Sequence, residues 1–144
     1  MEITIEKLNN LLADFQIYYQ NLRGFHWNIQ GRDFFELHVK FEELYNDSAL
    51  KIDEIAERIL TIGGTPLHSF QDYINVSTIT PMTNVHDGEM AVKTIVSNLE
   101  ALIVLEREIK ELAGSDGDSG TEDQMSAFIE LQEKTLWMYK AWLK

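Results

Sequence analysis

Five residues in the first half of the chain, His26, His38, Glu42, Asp53 and Glu57, pair imidazole nitrogen with carboxylate oxygen. That donor set suits a hard or borderline divalent metal such as iron or manganese. The chain has no cysteine, so thiolate metal sites and disulfides are excluded. Taken singly, each residue has a plainer role. A histidine at a helix end is a cap or is solvated, Glu42 and Glu57 are ordinary helix-face charges, and Asp53 joins Lys51 in a surface charge pattern. Their spacing changes that. With about 100° of rotation per residue and His38 at zero, Glu42 falls near 40°, Asp53 near 60° and Glu57 near 100°. The apolar stripe of the same segment, Phe34, Leu37, Phe41, Leu44, Ile52, Ile55 and Ile59, averages near -75°, roughly 125° from the mean of the polar group. The polar set therefore points out of the core on one narrow face. Along the axis, however, His38 and Asp53 are separated by about 22 Å of helical rise, far more than a metal site spans. One chain cannot close such a site. Two copies packed antiparallel about a two-fold axis would bring His38 of one to Asp53 and Glu57 of the other, and would create two equivalent sites.

The elements that must carry these residues are helical. Ile5, Leu8, Leu12, Phe15, Tyr19 and Leu22 recur at helical spacing and predict a first helix from about Thr4 to Asn28. The second is a long helix opened by Asp33 as N-cap and closed by Gly63-Gly64-Thr65-Pro66. Val92, Ile95, Leu99, Leu102, Ile109 and Leu112 mark a third, with Asn84 as candidate cap and Gly114 as candidate stop. A fourth starts near Thr121, paired with Gln124 in a capping box, and runs through Met125, Phe128, Leu136 and Tyr139. The stretch Gly114 to Gly120 between them reads as a flexible, solvated connection. Four long helices imply an all-α four-helix bundle, in one domain over residues 1–144. Some twenty residues separate the second and third helices, too many for a tight turn, so a long crossover is expected. Leu67, Phe70, Tyr73 and Ile74 give it a short amphipathic helix.

Twelve basic and 24 acidic residues give a formal net charge of -12. Such a surface repels a phosphate backbone and attracts cations, so DNA binding is disfavoured. No apolar run approaches the roughly 18 residues needed to span a bilayer, and Met1 to Lys7 lacks the order of a signal peptide, so a cytoplasmic protein is expected.

Arg23-Gly24-Phe25-His26-Trp27-Asn28, followed by Leu37-His38, Glu42, Asp53 and Glu57, resembles the ferroxidase signature of the Dps family (DNA-binding protein from starved cells), the mini-ferritins. The Glu-x-x-His pairs of ordinary ferritin centres are absent from the sequence. The resemblance extends over the helix layout, including the short helix in the crossover, and to the ending Trp137-Met138-Tyr139-Lys140-Ala141-Trp142-Leu143. It implies a ferritin-like bundle in which His26 and His38 of one subunit and Asp53 and Glu57 of its neighbour bind iron, with Glu42 as a further ligand. Several relatives carry Asp at the last position, so Glu57 keeps the carboxylate with a longer reach. Trp27 would lie near the centre, where its ring could intercept a stray radical or electron; packing is the alternative.

The same resemblance implies oxidation of Fe(II) by hydrogen peroxide, with dioxygen slower, and storage of the ferric mineral inside a dodecameric shell. Iron would enter through acidic pores on three-fold axes. Asp123 and Glu130, seven apart on one helix face, with Asp116 and Asp118 before them, are candidates to line such a pore. Acidic groups at a positive helix N-terminus are the alternative. The family's DNA-binding activity commonly uses a Lys-rich terminal extension, which this sequence does not show, so little DNA binding is expected. A DNA-compacting protein of the same fold is the competing reading. His68 and His86 lack comparable partners and are given no role.

Overall fold

The computed structural model describes residues 1–144. Its helices are α1 (Glu2–Asn28), α2 (Phe34–Thr61), α3 (Phe70–Val76), α4 (Gly88–Ser115) and α5 (Ser119–Trp142), with no strand. The all-α four-helix bundle with a short helix in its crossover is the architecture observed. α1 packs along α2, α4 along α5, α1 also touches α4, and α3 lies against α1. No helix is long and apolar enough to cross a membrane.

One hydrophobic cluster draws on all four long helices: Leu8, Leu12, Phe15 and Leu22 from α1, Phe41, Ile55 and Ile59 from α2, Ile95, Leu99, Leu102 and Ile109 from α4, and Met125 and Phe128 from α5. Phe15 meets Phe128 edge-on with centroids 6.2 Å apart, which locks α1 to α5 across the bundle. Each of these large side chains contributes about 1.5–3 kcal/mol through loss of water contact. Inside this core lies a polar group. Lys51 is buried and pairs with Asp47, while Glu106 accepts from Gln132 and leaves its second carboxylate oxygen without a partner. Burial pushes the Glu106 carboxyl up to about 8.

Three boundaries differ from the expected ones, each for a local reason. α4 is capped by Asp87, whose carboxylate accepts from the Met90 N–H at 2.9 Å, whereas Asn84 sits in the left-handed region at φ 57 within the crossover. α5 is capped by Asp118, which accepts from the Thr121 N–H at 3.1 Å, so Thr121 is already helical. Gly114 stays in α4; the reversal falls on Gly117 at φ 72, and the connection shrinks to Asp116–Asp118.

The crossover is held by polar side chains that interrupt the apolar stripe of α1. Asn9 donates to the Thr65 carbonyl at 3.1 Å and accepts from the Leu67 N–H at 2.8 Å. Asp14, buried, accepts from the Thr78 N–H at 2.7 Å and from the hydroxyls of Thr78 and Ser77, both at 3.0 Å. Asn21 donates to the Thr80 carbonyl at 3.0 Å and accepts from the Met82 N–H at 2.9 Å. Side chains thus satisfy backbone groups that a long connection would otherwise leave unpaired.

Candidate metal centre

The turn between α1 and α2 contains Gly31 at φ 103, and this reversal sets the last turn of α1 beside the first turn of α2. His26, only 6% exposed, and His38 therefore stack, with centroids 3.7 Å apart and planes 11° from parallel. Their hydrogen bonds are reciprocal. His26 Nδ1 lies 2.6 Å from the His38 carbonyl oxygen, and His38 Nδ1 lies 2.7 Å from the His26 carbonyl oxygen. A carbonyl only accepts, so each ring carries its proton on Nδ1. In the neutral rings both Nε2 lone pairs are then free, which is the tautomer a metal requires at that nitrogen.

Around this pair, Glu42 places Oε1 3.5 Å from His26 Nε2. Phe34 stacks on His38 at 4.8 Å, and Tyr45 meets His26 edge-on at 5.4 Å. The rings are wedged between aromatic walls and backbone acceptors, so their orientations are fixed. His26, His38 and Glu42 are thus brought together by one chain. Asp53 and Glu57 are exposed further along α2, and no group of three or more His, Asp or Glu side chains within the chain is close enough to hold a metal.

The outward face of α2 has a second property. Phe35, 82% exposed, together with Val39, Leu50 and Leu60, all exposed, falls about 40–120° from His38 by helical rotation, the sector of the carboxylates. An apolar strip of this kind, interleaved with exposed carboxylates, has the composition of a surface that meets a partner. Trp27 is 55% exposed, with the Arg23 guanidinium 4.9 Å from its ring centroid, so it lies outside the core cluster.

The acidic residues near the α4–α5 connection divide into two kinds. Asp116 Oδ2 pairs with the Met1 amine at 2.9 Å, and that hydrogen bond and charge hold its carboxyl below the ordinary range. Burial alone would raise the Asp118 carboxyl, but hydrogen bonds from Thr121 and the Arg58 guanidinium at 2.6 Å outweigh it and hold it low. Asp118 is thereby a buried helix cap rather than a solvent-facing carboxylate. Asp123 and Glu130 are exposed on α5. The side chains of His68 and His86 hydrogen-bond through Nδ1 to the backbone carbonyls of Pro66 and Asn28. Sequence reasoning missed Phe34 and Tyr45 as walls of the histidine pair. Phe34 was read only as part of the apolar stripe of α2, although its spacing of four from His38 on one helix could have signalled the stack, whereas nothing in one-dimensional spacing tells that Tyr45 meets His26 on another helix.

The model of the ferritin-like domain matches residues 5–144. Among curated relatives, the DNA protection during starvation protein of Porphyromonas gingivalis is 44% identical over 138 residues, covering 96% of this chain and 87% of that protein. DNA protection during starvation protein 2 of Bacillus anthracis is 40% identical over 139 residues, covering 96% and 95%. Among solved structures, the Dps protein of Vibrio cholerae O1, described as a member of a broad superfamily of ferritin-like diiron-carboxylate proteins, superposes with a TM-score of 0.98 at 50% identity, covering 99% of this chain and 90% of that one. Dps from Staphylococcus aureus gives 0.97 at 32% identity, covering 100% and 97%.

Proposed function

Because the chain belongs to the Dps family of ferritin-like proteins, we propose that it is a ferroxidase and an iron store. It takes Fe(II) as substrate at sites shared between two copies, oxidises it with hydrogen peroxide, or more slowly with dioxygen, and deposits the ferric mineral inside a dodecameric shell in the cytoplasm. Removing Fe(II) and peroxide together protects the cell from oxidative damage.

The observation that carries this reading is the reciprocal bonding of the stacked His26 and His38, which frees both Nε2 lone pairs, that of His26 lying 3.5 Å from Glu42 Oε1. The second copy supplies Asp53 and Glu57, its α2 running antiparallel so that the exposed Phe35, Val39, Leu50 and Leu60 are buried in the same contact. Neutral imidazole favours Fe(II), while the carboxylates stabilise the harder Fe(III) that replaces it. The net charge of -12 raises the local cation concentration, and exposed Asp123 and Glu130 are the acidic groups offered to an entry pore. That charge disfavours the DNA-compacting alternative.

Fe(II) and peroxide mixed anaerobically with the protein yield ferric absorbance at a rate to be compared with the His26→Ala/His38→Ala double variant. Equal rates in the two would remove the assignment. Light scattering of the purified protein tests the shell, since an isolated chain or pair has no interior to fill.

A further inference from the structure

The aromatic contacts around His26 continue beyond the histidine pair. Tyr45 of α2, edge-on to His26 at 5.4 Å and 81°, also meets Tyr19 of α1 at 6.0 Å and 86°. Tyr19 carries the Arg23 guanidinium 5.4 Å from its centroid, and the same guanidinium lies 4.9 Å from Trp27. Three oxidisable rings are thus linked to the centre, and they differ in electrostatics. A fixed positive charge opposes removal of an electron from the ring it covers, so Arg23 makes Tyr19 and Trp27 poorer electron donors. Tyr45 touches His26 directly and is separated from Arg23 by the Tyr19 ring. Tyr45 and Tyr19 are partly exposed, so water can relay the proton that leaves a phenol on oxidation.

Resting on the proposed ferroxidase reading, we infer that Tyr45 is an electron donor to the centre when only one iron is in place, the Arg23 charge over Tyr19 keeping the resulting radical on Tyr45. Reduction of hydrogen peroxide to two waters requires two electrons. A single Fe(II) supplies one, and the Tyr45 phenol supplies the other together with its proton. With one further proton from solvent, the O–O bond breaks and two waters form, leaving Fe(III) and a neutral tyrosyl. The next Fe(II) returns an electron to the tyrosyl, which takes a proton from water and becomes phenol again. The cycle oxidises two Fe(II) per peroxide and releases no hydroxyl radical, although the two irons never need to be present together.

The test uses the assembled, metal-free protein under anaerobic conditions, with one Fe(II) per centre followed by hydrogen peroxide. Freeze-quenched electron paramagnetic resonance reads the tyrosyl, and a spin trap reads escaping hydroxyl radical. The wild type gives a tyrosyl signal that Tyr45→Phe reduces several-fold while the hydroxyl adduct rises several-fold. Tyr45→Trp restores an oxidisable ring, so the adduct falls again and the signal becomes that of a tryptophan radical. Tyr73→Phe, on α3, leaves both readings as in the wild type. A Tyr45→Phe protein with wild-type signal and adduct yield, or a wild type that forms ferric absorbance without any tyrosyl, overturns the inference and leaves the ferroxidase reading standing. A wild type that forms no ferric absorbance overturns both.

Discussion

Arg58, the residue after Glu57, reaches across the bundle to the capping carboxylate of α5: its Nη2 lies 2.6 Å from Asp118 Oδ1, and its Nε lies 2.9 Å from Thr121 Oγ1. The end of α2 that carries Asp53 and Glu57 is therefore fastened to the start of α5. Gly120 completes the fit, because a Cβ there would lie 2.5 Å from Arg58 Nη2. Arg58→Met is expected to destabilise the chain by about 2–3 kcal/mol, since a buried carboxylate loses its charged partner. Denaturant melts at neutral pH measure it, and a midpoint equal to that of the wild type would show the clasp to be inert. Asp118 has a lowered carboxyl pKa in the folded chain, so its contribution is present above the ordinary carboxylate range and is lost as pH falls through the lowered value. The gap between wild type and Arg58→Met should accordingly narrow in acid.

Glu106 behaves in the opposite sense. Its carboxyl is raised by burial from an ordinary value of 4.5 to about 8, so between those limits the folded chain holds a proton that the unfolded chain has given up. Folding stability is greatest below the lower limit and declines as pH rises towards the upper one. Glu106→Gln removes that titration, and its stability relative to wild type should rise by on the order of 1–3 kcal/mol between pH 5 and pH 8. Paired melts at the two pH values decide it; a constant difference would mean that Glu106 does not titrate in this window.

Reciprocal bonding of His26 and His38 predicts a single tautomer for both rings. Solid-state nitrogen NMR of histidine-labelled, metal-free protein should show both rings protonated at Nδ1 when neutral. Detection of an Nε2–H tautomer for either would break the argument that both Nε2 lone pairs are free.

Asp14 satisfies three donors of the crossover at once. Asp14→Ala should cost about 1–3 kcal/mol, because the Thr78 N–H and the hydroxyls of Ser77 and Thr78 lose their acceptor. Limited proteolysis within Ser77–Thr80 should rise in the variant while cutting within α1 does not. Wild-type protection of that segment would contradict the assigned role.

Leu50 is 66% exposed on the α2 face that carries the carboxylates. Leu50→Lys places a charge where the proposed two-fold contact buries an apolar side chain, so assembly seen by light scattering and ferric absorbance should fall together. An assembled and fully active Leu50→Lys protein would put the two-fold contact elsewhere.

The helices and the outward direction of the carboxylates on α2 were legible because both follow from rotation per residue, a property that spacing records directly. Residue order also showed that His38 and Asp53 are too far apart to share a metal within one helix. The caps were harder. Asn84 and Asp87 are equally good capping types, and the choice fell to Asp87 because Asn84 is held at φ 57 by the path of the crossover. Gly114 to Gly120 looked like a loop from composition, yet helix continues through Gly114 and resumes at Ser119, since Arg58 anchors Asp118 from a distant part of the chain. Asn9, Asp14 and Asn21 carry no signal in residue spacing, and only the folded path of residues 65–82 reveals what they hold. Spacing likewise carried no trace of the mutual bonds between His26 and His38, which depend on a turn bringing two helix ends side by side.

Separation of the histidines from the carboxylates along one helix has a genetic corollary. Under the shared-site reading, a sequence lacking His26 and His38 and another lacking Asp53 and Glu57 are each inert alone, yet their mixed pair recovers one complete centre: the second sequence contributes the nitrogens and the first the oxygens. Two defective alleles expressed in one cell would then rescue each other to at most half the normal activity per pair, and neither would behave as a simple loss of dose.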